Sequence, residues 1–275
     1  MDDSPSNYDG KTFFYAYDPV TENILFEYED YDRATGYPLV GDIDGDGFLE
    51  IVFINEQENV SMARIRALKY TPDAGLSTMW EVSHTDNSGQ TSMSLFDFNQ
   101  DGIMEIVYRD ENHLRIINGS GSSHLTGNDT VPCYDLYTMA MTAGTWNEYP
   151  VVADVNNDGA AEIVVAGKTG TGLGWVGGQL VIIAGMHPWA PARKVWNQYM
   201  YNVTNVNEDL SVPTQLFDNA TAFTDPMGQI RRPFNNFLQQ ASPSLPNRTS
   251  KTVSPFPQDT WAAATTSCSQ STATA

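Results

Sequence analysis

The stretch Gly41-Asp42-Ile43-Asp44-Gly45-Asp46-Gly47-Phe48-Leu49-Glu50-Ile51-Val52 decides the reading of this chain. Acidic residues alternate with small or apolar ones over five positions, a glycine follows, and an apolar β-branched run begins straight after Glu50. Two further segments align with it without gaps. One is Phe96-Asp97-Phe98-Asn99-Gln100-Asp101-Gly102-Ile103-Met104-Glu105-Ile106-Val107, and the other is Ala153-Asp154-Val155-Asn156-Asn157-Asp158-Gly159-Ala160-Ala161-Glu162-Ile163-Val164. Their first aspartates, Asp42, Asp97 and Asp154, stand 55 and 57 residues apart. The flanks echo as well, with Tyr37-Pro38-Leu39-Val40 before the first copy and Tyr149-Pro150-Val151-Val152 before the third.

A near-constant step of this size marks one supersecondary unit used repeatedly. The units read as β. Ile51 to Ile54, Glu105 to Tyr108 and Ile163 to Ala166 are short apolar runs bounded by polar or glycine-rich stretches. Phe13 to Tyr17, Ile24 to Tyr28, Ile65 to Tyr70, Met79 to Ser83, Leu114 to Ile117 and Leu180 to Ala184 are further strand candidates. Sustained helical periodicity is scarce. Four short strands fit within about 55 residues, the content of one propeller blade. The expected fold is therefore all-β, a complete or partial β-propeller of four-stranded repeats with calcium-binding hairpin loops.

Each copy has the form D-x-[DN]-x-D-G-x-x-E. Side chains at positions 1, 3 and 5 of a tight turn converge on one point, glycine at position 6 allows the sharp bend, and the carbonyl of position 7 faces the same point. Hard oxygen donors in that number suit Ca²⁺. An EF-hand needs its bidentate glutamate at position 12, where this chain has Phe53, Tyr108 and Val165; the acid comes at position 9 instead. Asp, Asn and Gly also cluster as plain turn formers, but three copies in register, each with its glutamate, favour metal sites. The first loop carries four carboxylates and the other two carry three each, half of the formal net charge of -20. On charge count alone, the first loop is expected to bind its ion most tightly. Filling the loops is expected to couple metal binding to folding.

The loops resemble the FG-GAP (VCBS) repeats of integrin-α-like β-propellers, over roughly residues 10 to 190. The resemblance implies three calcium sites. Asp42, Asp44, Asp46, the Phe48 carbonyl and Glu50 form the first; Asp97, Asn99, Asp101, the Ile103 carbonyl and Glu105 the second; Asp154, Asn156, Asp158, the Ala160 carbonyl and Glu162 the third. The Phe-Gly and Gly-Ala-Pro signatures that name the family are absent or degenerate. Family propellers typically have seven blades, whereas 275 residues hold at most about five at this step. The segments Pro191 to Pro213, which contains Ala192 to Tyr199, and Arg232 to Leu238 resemble stretches that follow such repeats in large bacterial surface proteins.

The domain reading places a propeller region over 1–240, with calcium blades around 30–190 and a divergent closing segment over 191–240. Residues 241–275, rich in Ser, Thr, Pro and Ala, read as a linker or disordered tail. Met1-Asp2-Asp3-Ser4 lacks the basic and apolar regions of a signal peptide, and a piece of a longer chain is the expectation over a removed leader. Such an acidic chain repels nucleic acid and anionic lipid, and it has no apolar run long enough to span a membrane. Cys133 and Cys268 leave pairing open. Six N-x-[ST] sequons stand at Asn59, Asn118, Asn128, Asn202, Asn219 and Asn247.

No hydrolase triad, HExxH motif or P-loop is present, and His84, His113, His124 and His187 are scattered. Trp196, Tyr199 and Tyr201 read either as a sugar-binding platform or as core that closes the blades. The functional expectation is a non-catalytic adhesion module, extracellular or at the cell surface, with a protein or glycan ligand and a place in a larger assembly. The alternative is a secreted carbohydrate-active enzyme such as a polysaccharide lyase.

Overall fold

In each copy the short apolar run before the loop pairs antiparallel with the run after it. This is what β-branched segments on either side of a tight turn should do. The computed structural model describes residues 12–18, 20–30, 36–55, 63–71, 73–86, 88–121, 135–143, 148–169, 179–214, 223–224, 230–231 and 237–240. Cys133, Cys268, His124, Asn59, Asn128, Asn219 and Asn247, and the tail 241–275, lie outside the described residues.

A hairpin of β1 (Thr12–Tyr17) and β2 (Ile24–Asp30) opens the described chain. Unit one follows as an antiparallel sheet of β3 (Leu39–Gly41), β4 (Glu50–Ile54), β5 (Arg64–Thr71) and β6 (Gly75–Ser83). Unit two repeats the order with β7 (Met93–Phe96), β8 (Glu105–Arg109), β9 (His113–Asn118) and β10 (Asp135–Thr142). Unit three has β11 (Val151–Ala153), β12 (Glu162–Thr169) and β13 (Gln179–Ile183). Met141 and Thr142 pair with Thr169 and Lys168, which joins units two and three into one seven-stranded sheet. β14 (Phe223–Thr224) and β15 (Ile230–Arg231) form a separate small pair. Among the described residues there is no α-helix, only a 3-10 turn at Val203–Asn205. Among the described residues no helix is long and apolar enough to cross a membrane.

The units pack face to face, and side-chain alternation along β8 shows how. Ile106 and Tyr108 belong to the core shared with unit one, and Val107 to the core shared with unit three. Successive strand residues point to opposite faces, so a strand covered on both sides is apolar through its middle; every residue of β8 is buried, with the charged Glu105 and Arg109 at its two ends. Unit one turns Val52 and Ile54 inward, while Phe53 meets Phe14 of the opening hairpin with ring centroids 4.8 Å apart. The order is therefore hairpin, unit one, unit two, unit three. The described residues form this stack and no closed ring, and unit three contributes three strands rather than four.

The segment after β13 ties the units together. Ala190 N–H donates to the Phe98 carbonyl at 2.9 Å, Ala161 N–H to the Ala190 carbonyl at 3.0 Å, and Asp154 N–H to the Arg193 carbonyl at 3.1 Å. Residues Phe237 to Gln240 then run along the short first strands. Phe237 bridges Val40 of β3, and Gln239 bridges Leu95 of β7. The Gln240 amide donates to the Val152 carbonyl of β11 at 2.8 Å. One four-residue strap thus touches the first strand of all three units.

Candidate metal centres

All three loops are closed by the same pair. Gly41 pairs with Glu50, Phe96 with Glu105 and Ala153 with Glu162, so the residue before position 1 always faces the glutamate at position 9. Within the loops the side chains at positions 1, 3 and 5 build a ladder of turns on the backbone. The position-1 aspartate accepts from the N–H of position 6: Gly47 at 2.9 Å, Gly102 at 3.0 Å and Gly159 at 3.1 Å. Position 3 accepts from position 5: Asp44 from Asp46, Asn99 from Asp101, Asn156 from Asp158. Position 5 accepts from position 7: Asp46 from Phe48, Asp101 from Ile103, Asp158 from Ala160. This is the local bonding that makes Asp and Asn turn formers.

The backbone explains the glycines. Position 6 has φ of 89° at Gly47, 90° at Gly102 and 96° at Gly159, a region that side chains avoid. Position 4 is also left-handed, with φ of 79° at Gly45, 59° at Gln100 and 66° at Asn157. That requirement was not drawn from the sequence, although Gly and Asn at this position were its trace.

The glutamates do a second job. In each loop one carboxylate oxygen accepts the N–H of position 2: Ile43 at 3.0 Å, Phe98 at 2.9 Å, Val155 at 2.9 Å. Glu50, Glu105 and Glu162 are all buried. The other oxygen of Glu50, and Oδ1 of Asp154, are buried and accept no hydrogen bond. A buried acceptor without a donor is costly, and in these loops it faces other carboxylates. Burial first, then neighbouring aspartates, push the glutamates above the usual carboxylate range: Glu50 to about 8, with Asp44 as the nearby charge, Glu105 well up with Asp97 beside it, and Glu162 up with Asp158 beside it.

Oxygen-only donors, orphaned lone pairs and mutual repulsion fit a hard divalent cation. In the first loop, ligand oxygens of Asp42, Asp44 and Glu50 all lie within 4.8 Å of one another. In the second, the Asn99 amide nitrogen donates to Asp101 at 3.0 Å. In the third, the Asn156 amide nitrogen donates to Asp158 at 3.0 Å and to Glu162 at 2.9 Å. A cation there requires the amide to turn its oxygen inward, a rotation that exchanges atoms of nearly equal size.

The first loop differs. Lys69 on β5 is directly paired with Glu50, and its ammonium ion-pairs with Asp44, lies 2.7 Å from Asp46 Oδ2 and 3.8 Å from Glu50 Oε1. No side chain of the sequence reading anticipated this lysine.

The raised glutamates set a pH dependence. A carboxyl whose folded pKa lies above its unfolded one keeps its proton in the folded state, so stability falls as pH rises between the two. For Glu50 this window runs from about 4.5 to about 8. Buried His84, held down to about 4 by burial, works the other way below its ordinary 6.5. Between pH 6.5 and 8, among the described residues, the carboxyl effect is the one that remains of these two. Chelator-treated protein is expected to melt at a lower temperature at pH 8 than at pH 6.5. Saturating calcium should abolish that slope, since carboxylates bound to a cation stay ionised; scanning calorimetry at both pH values checks it.

The aromatic trio does not act as one surface. Tyr201 is fully buried and stacks on Trp196 with centroids 4.3 Å apart. Tyr199 is partly exposed and meets Tyr37 and Tyr149 edge-on. An open cleft of about 390 Å³ is lined by Glu148, Tyr149, Val151, Trp196, Asn197, Gln198 and Tyr199. Of the sequons within the described residues, Asn118 holds a turn through Ser120 and Asn202 caps the 3-10 turn through Thr204.

The FG-GAP-like repeat family model matches residues 42–108 and again 97–165. Each match begins at the first aspartate of one loop and ends beyond the next loop, so all three loops fall within it. None of the curated proteins matches the chain. Among solved structures, the Vibrio cholerae biofilm matrix protein Bap1 is similar at 19% identity with a TM-score of 0.44, over 84% of this chain and 42% of that one. The chain therefore spans less than half the length of that protein.

Proposed function

We propose that this chain, an FG-GAP-like repeat protein over residues 42–165, is a calcium-stabilised extracellular module of propeller type that binds a protein or glycan ligand without catalysing a reaction. The region 1–240 is then the binding domain, with 191–240 as its closing segment and 241–275 as a linker, all within a larger surface assembly. The observation that carries this reading is the identical ladder in the three loops, with oxygen donors at positions 1, 3, 5 and 9 on the same backbone path.

Bound calcium would supply the positive charge that lets these buried carboxylates stay ionised side by side. The protein residues do the rest. Asp42, Asp97 and Asp154 hold the position-6 amides, and the glutamates fasten the loop mouth to the start of β4, β8 and β12. The loops thereby fix the hairpin that opens each unit. For the ligand, the cleft beside Trp196 and Tyr199 offers aromatic faces with amide and carboxylate groups at its rim, a combination that suits a sugar ring.

Glycan-array binding in millimolar calcium and in chelator, with a reducing-end release assay on the glycans bound, tests the reading. Calcium-dependent binding without release is expected. Release of reducing ends would favour the polysaccharide lyase or hydrolase alternative, and calcium-independent binding would detach the loops from function.

A further inference from the structure

The three loops share a backbone but differ in what the third strand of each unit presents to them. Glu50 pairs with Lys69 and Glu105 with Asn118. β13 ends at Ile183, opposite Ile163, so the residue next in line for Glu162 is Ala184. Only the first of these positions carries a charge. Because pairing fixes Lys69 beside Glu50, its ammonium is delivered to the convergence of Asp44, Asp46 and Glu50 by the sheet itself. Formally, the lysine brings the four-carboxylate loop to the same net charge of three negatives as its neighbours.

We propose that Lys69 is a tethered counter-cation of the first loop, which a calcium ion must displace, so that the first loop is the weakest of the three calcium sites. The proposal rests on the loops being calcium sites. It reverses the order given by counting carboxylates, because that count omits a cation brought from a strand 19 residues downstream of Glu50. A ligand that competes with an internal occupant has its affinity reduced by the fraction of time the site is free. If Lys69 occupies the cluster about nine-tenths of the time, the apparent affinity falls about tenfold. The ammonium also repels a divalent ion a few ångströms away unless it swings out to solvent. Such a loop has its own internal partner at low calcium; in the second and third an asparagine amide donates to the carboxylates, and Lys194 reaches the third loop at Asn157, which is not one of its ligand positions.

The test is isothermal titration of the chelator-stripped full chain with calcium chloride. Two ions are expected to bind more tightly and a third about tenfold more weakly or worse. Lys69→Met keeps the aliphatic stem and removes the charge. It is expected to raise the weak site to the level of the others while lowering the metal-free melting temperature. Lys69→Gln should move both quantities the same way, which covers the case in which the methionine variant fails to fold. Three equal sites in the wild type, or an unchanged weak site in both variants, would overturn the proposal and leave the calcium reading standing. No calcium binding by any of the proteins would sink both.

Discussion

Stripped of calcium, the protein is expected to unfold roughly 10–20 °C below the loaded form. An ion that binds only the folded loop stabilises it by about 2.7 kcal/mol when its concentration is a hundred times Kd. Two such sites give about 5 kcal/mol, and a domain of this size shifts its melting temperature by about 2–4 °C per kcal/mol. The physical source lies in the loops themselves. Glu105 lies beside Asp97, and Glu162 beside Asp158 and Asp154; burial first, then that company, pushes their folded carboxyls up. Calorimetry in millimolar calcium against chelator at one ionic strength measures the shift. An unchanged midpoint would mean that the loops are turns alone.

The second large effect is expected at Arg193. Its side chain is 1% exposed. It donates to Tyr201 Oη at 3.0 Å, to the Val203 carbonyl at 2.8 Å and to the Val206 carbonyl at 2.7 Å, and it ion-pairs with Glu208. The Tyr201 hydroxyl donates in turn to Gln240 Oε1 at 2.9 Å, and the Gln240 amide nitrogen donates to the Val152 carbonyl of β11. Arg193 is thus the hub that holds the closing segment and the strap against the third unit. Arg193→Met fills similar volume but takes the guanidinium donors from two carbonyls, those of Val203 and Val206, while the Tyr201 hydroxyl keeps its bond to Gln240. Removing one member of such a buried set costs about 3–5 kcal/mol; the lower end is expected here, because Glu208 is exposed and regains water. Lys194→Met, one residue along on the exposed side, gives up one exposed hydrogen bond to Asn157 and should change little. Urea denaturation of the two variants checks the contrast, and equal stability would show that the hub is dispensable.

Much of this was legible because the loops write their geometry in side chains. An aspartate at position 1 and a glycine at position 6 are what the turn requires, so three copies located three hairpins. The strands after the loops were equally plain, since Ile51 to Ile54 and Ile163 to Ala166 are apolar runs. The short first strands were harder. Met93–Phe96 and Val151–Ala153 are only four and three residues long, and they exist because they pair with the runs beyond the loop. β10 was missed because Asp135–Thr142 has no clean alternation; it is fixed by pairing with β9 and β12. Closure into a propeller is set by contacts between distant units, and local sequence carries little of that.

The sites divide in the same way. Loop residues were found by spacing, and the stack of turns they build is local. Lys69 was invisible because it reaches the first loop only through the Glu50 register, a fact of strand pairing. Arg193 and Gln240 were hidden likewise, since their partners lie up to 88 residues away. The one hint was an arginine set among apolar residues in Trp189-Ala190-Pro191-Ala192-Arg193. Trp196 and Tyr201 were legible as aromatic but not as stacked on each other.

The central claim is that the loops are calcium sites. It is tested most directly by crystals of the full chain grown in calcium chloride, with anomalous scattering used to locate the ions. The account predicts an ion in the second loop bound by Asp97, Asn99, Asp101 and Glu105, and one in the third bound by Asp154, Asn156, Asp158 and Glu162, with oxygens at about 2.3–2.6 Å. In the first loop an ion should appear only at the higher calcium concentrations, with Lys69 swung away from Asp44. Strong calcium peaks elsewhere, with the second and third loops empty at saturating calcium, would contradict it.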